Sequence, residues 1–369
     1  MENASPSTER REVLVARLTE AALGTMEICC VYLGDRLGLY RALRSGPPTT
    51  AAEVAAAAGI DARYAREWLE QQAVAGILEV NSAVDPEARR YSLPAEHAEV
   101  LLDPDSLDWF APVVQLVVGL TRPLPALLEA FRSGEGISWS AFGADPREGQ
   151  AGQNRPAFLK LLGTEWLPAI PDIHARLAGD PPARIADVAC GAAWSSIAMA
   201  RAYPKVRVDG FDSDEASVAL ARANVAEAGL AERVTISARA AGDPALAGRY
   251  DLVTIFEALH DMSRPVEALR TVRGLLAEGG AVLVMDERVA ETFTAPGDTV
   301  ERMMYGFSVL CCLPTGLAEQ PSAGTGTVMR PATLRRYALE AGFGDVEILP
   351  IANDLFRFYR LHVSRPAGT

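Results

Sequence analysis

Residues 184–200 read RIADVACGAAWSSIAMA. A short apolar run meets Asp187, passes through a turn of small residues, and enters an apolar helix opened by Ser195. Apolar runs of this length, without polar alternation, are typical of strands covered on both faces of a parallel sheet. In such sheets ligands sit beyond the carboxyl ends of the strands, so the turn at 191–194 lies where a nucleotide-type cofactor is held. A dinucleotide fingerprint would place glycine at 189, 191 and 194, the last for close packing of helix on strand. Trp194 argues against it.

Outward from this turn the same alternation repeats. VRVDGFD, RVTISAR, YDLVTIF and GAVLVMDE read as further buried strands, with amphipathic helices between the earlier ones. After a helix near 334–341, DVEILPIA and LFRFYRLHVS meet at Asn353 and Asp354, which predicts a terminal antiparallel hairpin. Residues 181–369 are therefore expected to form one mostly parallel α/β sheet. Upstream, residues 1 to about 12 read as disordered, and helical spacing from Val13 to Leu43 predicts one or two helices. Thr50 with Glu53 forms a capping box, Gly59 ends that helix, Asp61 caps another through Ala75, and ILEV and RRYSLP supply two short strands. That order predicts a winged helix over 1–102. The aromatic-rich stretch 103–180 reads as a helical connector able to roof a pocket.

Composition narrows the function. The chain has 369 residues, 49% apolar, and a net charge of −13, which disfavours nucleic-acid binding because that affinity comes largely from Lys and Arg displacing counterions. The second helix of the winged module sets Arg63 and Arg66 against Asp61, Glu67 and Glu70, so it offers no basic face. There is no run of eighteen uncharged apolar residues and no signal-like start, which predicts a soluble cytoplasmic protein without a membrane partner. Five cysteines lack the spacing of a zinc site or disulfide framework, and no metal is expected.

Asp187, Ala189, Gly191 and Ala193 fit a loop of the form acid-x-Gly-x-Gly-x-Gly with alanine at two glycine positions. Asp212 ends the next strand, and YDLVTIFEALHDMSRPVEALRTVRGLLAEGGAVLVMDE follows. Together these motifs resemble class I S-adenosylmethionine-dependent methyltransferases. The whole chain resembles the bacterial small-molecule, O-methyltransferase-like members with an N-terminal winged-helix dimerisation domain, related to the caffeic-acid-type and hydroxyindole enzymes. The resemblance implies a Rossmann-like methyltransferase sheet, S-adenosyl-L-methionine as cofactor, a small-molecule substrate, a homodimer, and a place in secondary metabolism.

It also implies site residues. Asp187, Ala189, Gly191 and Ala193 would pass under the methionine end of the cofactor. Asp212 would accept the ribose hydroxyls, unless it caps the following helix, a role open to Ser213 or Asp214. Ala240 stands where an adenine-binding acid is common, with Asp243 as a substitute, and Phe256 stands where plant-type relatives use lysine. An added methyl in the loop costs about 1–3 kcal/mol if the backbone cannot relax. His260, followed by Asp261, is the candidate general base, Asp286 its orienting partner, and Glu257 a group near cofactor or substrate. Met303, Tyr305, Phe307 and Cys311 are candidates for the wall of an apolar or aromatic substrate pocket, and AEQPSAGTGTV for a mobile loop over it. The expected reaction is methyl transfer to a hydroxyl. Ala189, Ala193 and Ala240 leave two alternatives: the same fold used for cyclisation, decarboxylation, hydroxylation or rearrangement, or a winged-helix regulator.

Overall fold

The computed structural model describes residues 6–44, 46–81 and 84–363. The chain divides into two units, Met1–Gly119 with Glu148–Gln153, and Leu120–Arg147 with Asn154–Thr369.

The first unit follows its capping signals. Helix α1 spans Pro6–Arg36 and α2 Leu39–Leu43, separated where Gly38 takes φ 72°. The disorder expected through residue 12 is corrected from Pro6 onward, since STERREVLVAR combines strong helix formers with Glu9 in the first turn; residues 1–5 lie outside the described set. Gly34 lies inside α1, at a place where a Cβ would come within 2.4 Å of the Trp68 ring. Helix α3 (Ala51–Ala58) carries the reciprocal Thr50–Glu53 capping box, and Gly59 closes it at φ 68°. Helix α4 (Ala62–Val74) starts on Asp61, which accepts from the N–H groups of Arg63 and Tyr64. Strands β1 (Glu79–Val80) and β2 (Tyr91–Ser92) pair antiparallel as the wing. Tyr40 and Trp68 meet edge to face at 5.1 Å in the core. The arginines of α4 are paired locally, Arg63 with Glu67 and Arg66 with Glu87.

Helix α5 (Ala95–Leu102) follows the wing, and α6 (Ala111–Leu120), α7 (Leu124–Ser133), α8 (Ala144–Ala157) and α9 (Pro171–Ala178), with a π-helical segment at Phe158–Trp166, fill the stretch expected to be helical.

The second unit alternates β3 (Arg184–Val188), α10 (Trp194–Ala202), β4 (Arg207–Asp212), α11 (Glu215–Glu227), β5 (Val234–Ala238), β6 (Tyr250–Phe256), α12 (Pro265–Gly274) and β7 (Leu276–Glu287). After α13 (Thr299–Phe307), a π-helical turn Ser308–Cys312, α14 (Leu313–Gly316) and α15 (Pro331–Glu340), the chain ends in β8 (Phe343–Ile348) and β9 (Phe356–Val363). The sheet order is β5-β4-β3-β6-β7-β9-β8, parallel through β7 and antiparallel at β9 and β8. Successive side chains of β6 enter opposite cores, Leu252 and Phe256 on one face, Val253 and Ile255 on the other. Burial on both faces is why these strands read as unbroken apolar runs. The chain winds from β3 to β4 and β5 on one side, then crosses to β6 and β7 on the other. The switch point between β3 and β6 marks the ligand edge.

Candidate active site

At the carboxyl end of β3 the turn keeps glycine-type geometry without its glycines. Ala189, Gly191 and Ala193 take φ 57°, 52° and 64°. Among the described residues the only other non-glycine at positive φ is Glu257. Alanine held there costs about 1–2 kcal/mol, so the fold enforces the turn against local preference. Three anchors do so. The N–H of Cys190 donates to the carbonyl of Phe211 at 3.0 Å, that of Ala193 donates to the carbonyl of Cys190 at 2.8 Å, and Asn224 Nδ2 donates to the carbonyl of Ala192 at 3.0 Å. A Cβ built on Gly191 would meet nothing within 4 Å, so the turn borders open space.

Asp187 is fully buried and takes hydroxyl donors from Ser195 and Ser196 at 2.6 Å each and from Thr254 at 2.7 Å. Its burial pushes its pKa up and the three hydroxyls pull it back. It braces the turn against α10 and β6 rather than offering an oxygen to a ligand. Asp212, partly buried at the end of β4, accepts from the N–H of Gly191 at 2.8 Å and of Asp214 at 2.9 Å. Burial raises its pKa and these two N–H groups oppose the rise. The helix-capping role falls to Asp214, which accepts from Ser217 N–H and pairs with Arg147 at 2.7 Å. Ser213 is exposed. Each Asp212 oxygen keeps a further lone pair, at the sheet edge where Gly191 borders open space.

The second half of the site lies at the ends of β6 and β7. His260 is 3% exposed, with Nδ1 on Asp286 Oδ1 at 2.9 Å and Nε2 3.3 Å from Asp261 Oδ1. Burial alone would lower the imidazole pKa, but Asp286 and Asp261, with a hydrogen bond to Cys312, outweigh it and hold it well above the ordinary range. Asp286 Oδ1 also accepts from the N–H of Glu287 at 2.9 Å. Glu257 follows β6 at φ 53°, with its N–H donating to the Met285 carbonyl at 2.8 Å. Burial pushes its carboxyl up to about 7 against an opposing hydrogen bond from Asn154. Glu287 is 8% exposed, and burial and the nearby Glu257 drive its pKa well up.

Of the residues picked out in the sequence, the fold groups Gly191 with Asp212 on one side and His260, Asp286 and Glu257 on the other. Glu287, Cys312 and Asn154 also belong to the second group and carry no sequence signal of it. The remaining candidates spread out. Ala240 is exposed, and Asp243 is engaged with Arg239 and the N–H of Ala245, both at 2.8 Å. Phe256 stacks on Phe158 at 5.7 Å in the core. Tyr305 is 39% exposed, against Phe293 and Arg330, while Met303 and Phe307 are partly buried and Cys311 is buried.

Residues 24–102 match the family described as Rv2258c-like winged HTH domain, and residues 185–280 match the methyltransferase domain family. The ubiquinone biosynthesis O-methyltransferase of Marinobacter nauticus is 34% identical over 193 residues, covering 52% of this chain and 75% of that relative. The enzyme of the same name from Stutzerimonas stutzeri is 28% identical over 212 residues, 54% and 78% of the two chains. Among solved structures, the mitomycin 7-O-methyltransferase matches with TM-score 0.71 at 19% identity over 97% of this chain and 100% of that one. Human N-acetylserotonin methyltransferase in complex with S-adenosylmethionine matches with TM-score 0.71 at 17% identity, over 99% and 100%. The chain belongs to the S-adenosylmethionine-dependent methyltransferases and carries a winged helix in its N-terminal part. Its cofactor is S-adenosylmethionine. The residues fit that group: the left-handed turn survives its alanines, Gly191 opens on free space, and among the described residues no cation pairs with the Asp212 carboxylate.

Proposed function

We propose that this enzyme methylates a hydroxyl oxygen of a small apolar or aromatic metabolite, with His260 as general base. The observation that carries the reading is the imidazole fixed between Asp286 and Asp261 at the ligand edge of the sheet. Asp286 accepts Nδ1–H and so leaves Nε2 as the atom that takes the acceptor's proton. Asp212 and the turn at Ala189, Gly191 and Ala193 would hold the ribose and the amino-acid tail of the cofactor. When bound, the cofactor supplies an activated sulfonium methyl, so the protein's share is alignment of the acceptor and removal of its proton. Alignment is worth up to about 7–11 kcal/mol and the base about 10²–10⁴-fold.

The alanines motivated a reading in which the fold serves another reaction. The left-handed backbone at Ala189 and Ala193 supports cofactor binding, since the turn keeps the form that glycine would give it, and a methylated product is what separates methyl transfer from another reaction in the same fold. The division of labour follows the resemblance: residues 1–102 dimerise, 103–180 roof the pocket, and 181–369 hold the cofactor. Helix α1 supports a homodimer, because Val13, Leu14, Val15, Leu18, Leu23 and Met26 are all exposed on it. Among the described residues no single helix is long and apolar enough to cross a membrane, which agrees with a cytoplasmic enzyme. The test is transfer of isotopically labelled methyl from S-adenosylmethionine to a panel of phenols and hydroxylated metabolites. His260→Ala should reduce turnover about 10²–10⁴-fold while S-adenosylhomocysteine still binds. Unchanged turnover in that variant would remove the base.

A further inference from the structure

The turn Leu259–Asp261 after β6 and the π-helical turn Ser308–Cys312 with α14 are locked together. Ser263 Oγ donates to the Gly316 carbonyl at 2.7 Å, and the N–H of Ala323 donates to the Ser263 carbonyl at 2.8 Å. A Cβ on Gly316 would come within 3.2 Å of the Asp261 carbonyl, so glycine keeps this close approach free of strain. The packing brings three kinds of metal ligand to one point. A ring nitrogen of His260, a carboxylate oxygen of Asp261 and the sulfur of Cys312 all lie within 4.8 Å of one another, the one such set of three among the described residues. His260 is buried, whereas Asp261 and Cys312 are partly exposed, which leaves an ion a way in from solvent.

We propose that His260, Asp261 and Cys312 form a zinc site, in which Nε2, Oδ1 and Sγ take three positions and the fourth stays open. Around tetrahedral Zn²⁺, at about 2.0–2.2 Å to nitrogen or oxygen and about 2.3 Å to sulfur, neighbouring ligand atoms stand about 3.4–3.6 Å apart. Nε2 and Oδ1 are already 3.3 Å apart, and the sulfur, within 4.8 Å of both, has at most about 1.3 Å to travel. His260 and the Cys312 thiol both act on Asp261, yet Nε2 and Oδ1 make no hydrogen bond at that separation. They stand side by side, as ligands of a shared centre do. Asp286 gives the outer support usual for a metal-binding histidine, since its Oδ1 holds Nδ1 at 2.9 Å and leaves Nε2 to the metal. A mixed sulfur, nitrogen and oxygen set suits zinc, whereas magnesium and calcium take oxygen ligands. The expectation of no metal came from cysteine spacing, which carries no sign of this set because Cys312 reaches it from 52 positions beyond His260. Zinc on Nε2 would occupy the atom assigned as base and so stop methyl transfer. That consequence rests on the base reading, and the site itself does not.

The experiment titrates the reduced, untagged full chain with Zn²⁺ against a chromophoric chelator, and in parallel with Co²⁺ by absorption. One ion should bind per chain with micromolar or tighter Kd, and Co²⁺ should show the near-ultraviolet sulfur-to-cobalt band of a thiolate ligand. Cys312→Ser should weaken Zn²⁺ at least a hundredfold and remove that band. Asp261→Asn should weaken it at least tenfold, and Asp286→Asn about 10- to 100-fold with the band retained. Because Asp261 is partly exposed, its variant tests the site even if Cys312→Ser does not fold. Cys29→Ser, at an exposed cysteine of α1, is the control and should leave zinc affinity unchanged. No stoichiometric binding by the wild type, a cobalt spectrum without the sulfur band, or zinc affinity untouched by Cys312→Ser and Asp261→Asn overturns the proposal. Turnover separates the site from the base. Zinc bound with turnover undiminished supports the site and removes His260 as base, while turnover falling in step with occupancy supports both.

Discussion

Replacing Asp212 by asparagine tests the cofactor seat with the least change of shape. The aspartate takes the Gly191 N–H on one oxygen and the Asp214 N–H on the other. Asparagine can keep one of these, but its NH₂ group then faces the other N–H, donor against donor. It also loses the negative charge that a ribose hydroxyl would meet. A charge-assisted hydrogen bond is worth about 1.5–3 kcal/mol, so losing one predicts a 10- to 150-fold weaker complex. Stability should fall by about 1–3 kcal/mol, because one backbone N–H loses its acceptor. Calorimetry with S-adenosylhomocysteine should therefore show Kd raised about a hundredfold, while turnover at saturating cofactor stays within a few-fold because His260 is untouched. Asp214→Asn is the control: asparagine still caps α11 but loses the ion pair with Arg147, costing about 1 kcal/mol of stability or less with little effect on affinity. Unaltered affinity in Asp212→Asn, or equal losses in both variants, would refute the assignment of the ribose to this carboxylate.

Because Asp286 and Asp261 outweigh burial in raising the His260 pKa, kcat/KM should rise with pH through a value above the ordinary histidine range, and Asp286→Asn should shift that limb downward in a pH–rate profile. Glu257 rises from 4.5 to about 7 mainly through burial, among Asn154, His260, Asp286, Asp261 and Glu287. Its neutral form is favoured in the folded state, so its contribution is full below pH 4.5 and is lost as pH climbs through about 7. That loss amounts to about 3 kcal/mol, and Glu257→Gln should remove it from denaturant-measured stability compared at pH 5 and pH 8. Leu14→Glu with Leu18→Glu on α1 should convert a dimer into a folded monomer in sedimentation equilibrium, since both side chains are more than half exposed in the single chain.

The sheet was legible because strands covered on both faces must be apolar throughout, and the winged helix because Thr50, Glu53, Gly59 and Asp61 are local signals read within three or four residues. The start of α1 was not, since a polar, charged segment without an apolar face gives no periodicity to read. In the site, Asp212 was legible as the acid ending a strand. Which of three successive residues caps α11 depended on backbone angles that put Asp214 in place. The left-handed turn at Ala193 could not be read from alanine, which prefers the opposite. Glu287 and Cys312 were hidden for a different reason: they approach His260 across 27 and 52 positions of sequence, and only the parallel register of β6 and β7 and the π-helical turn bring them there.

A crystal structure of the chain saturated with S-adenosylhomocysteine tests the central claim most directly. The account predicts both ribose hydroxyls on the Asp212 carboxylate at about 2.5–2.7 Å, the amino-acid tail over Gly191, and the sulfur facing the edge that holds His260. Nucleoside density elsewhere, or that edge closed by the chain's own side chains under saturation, would contradict it.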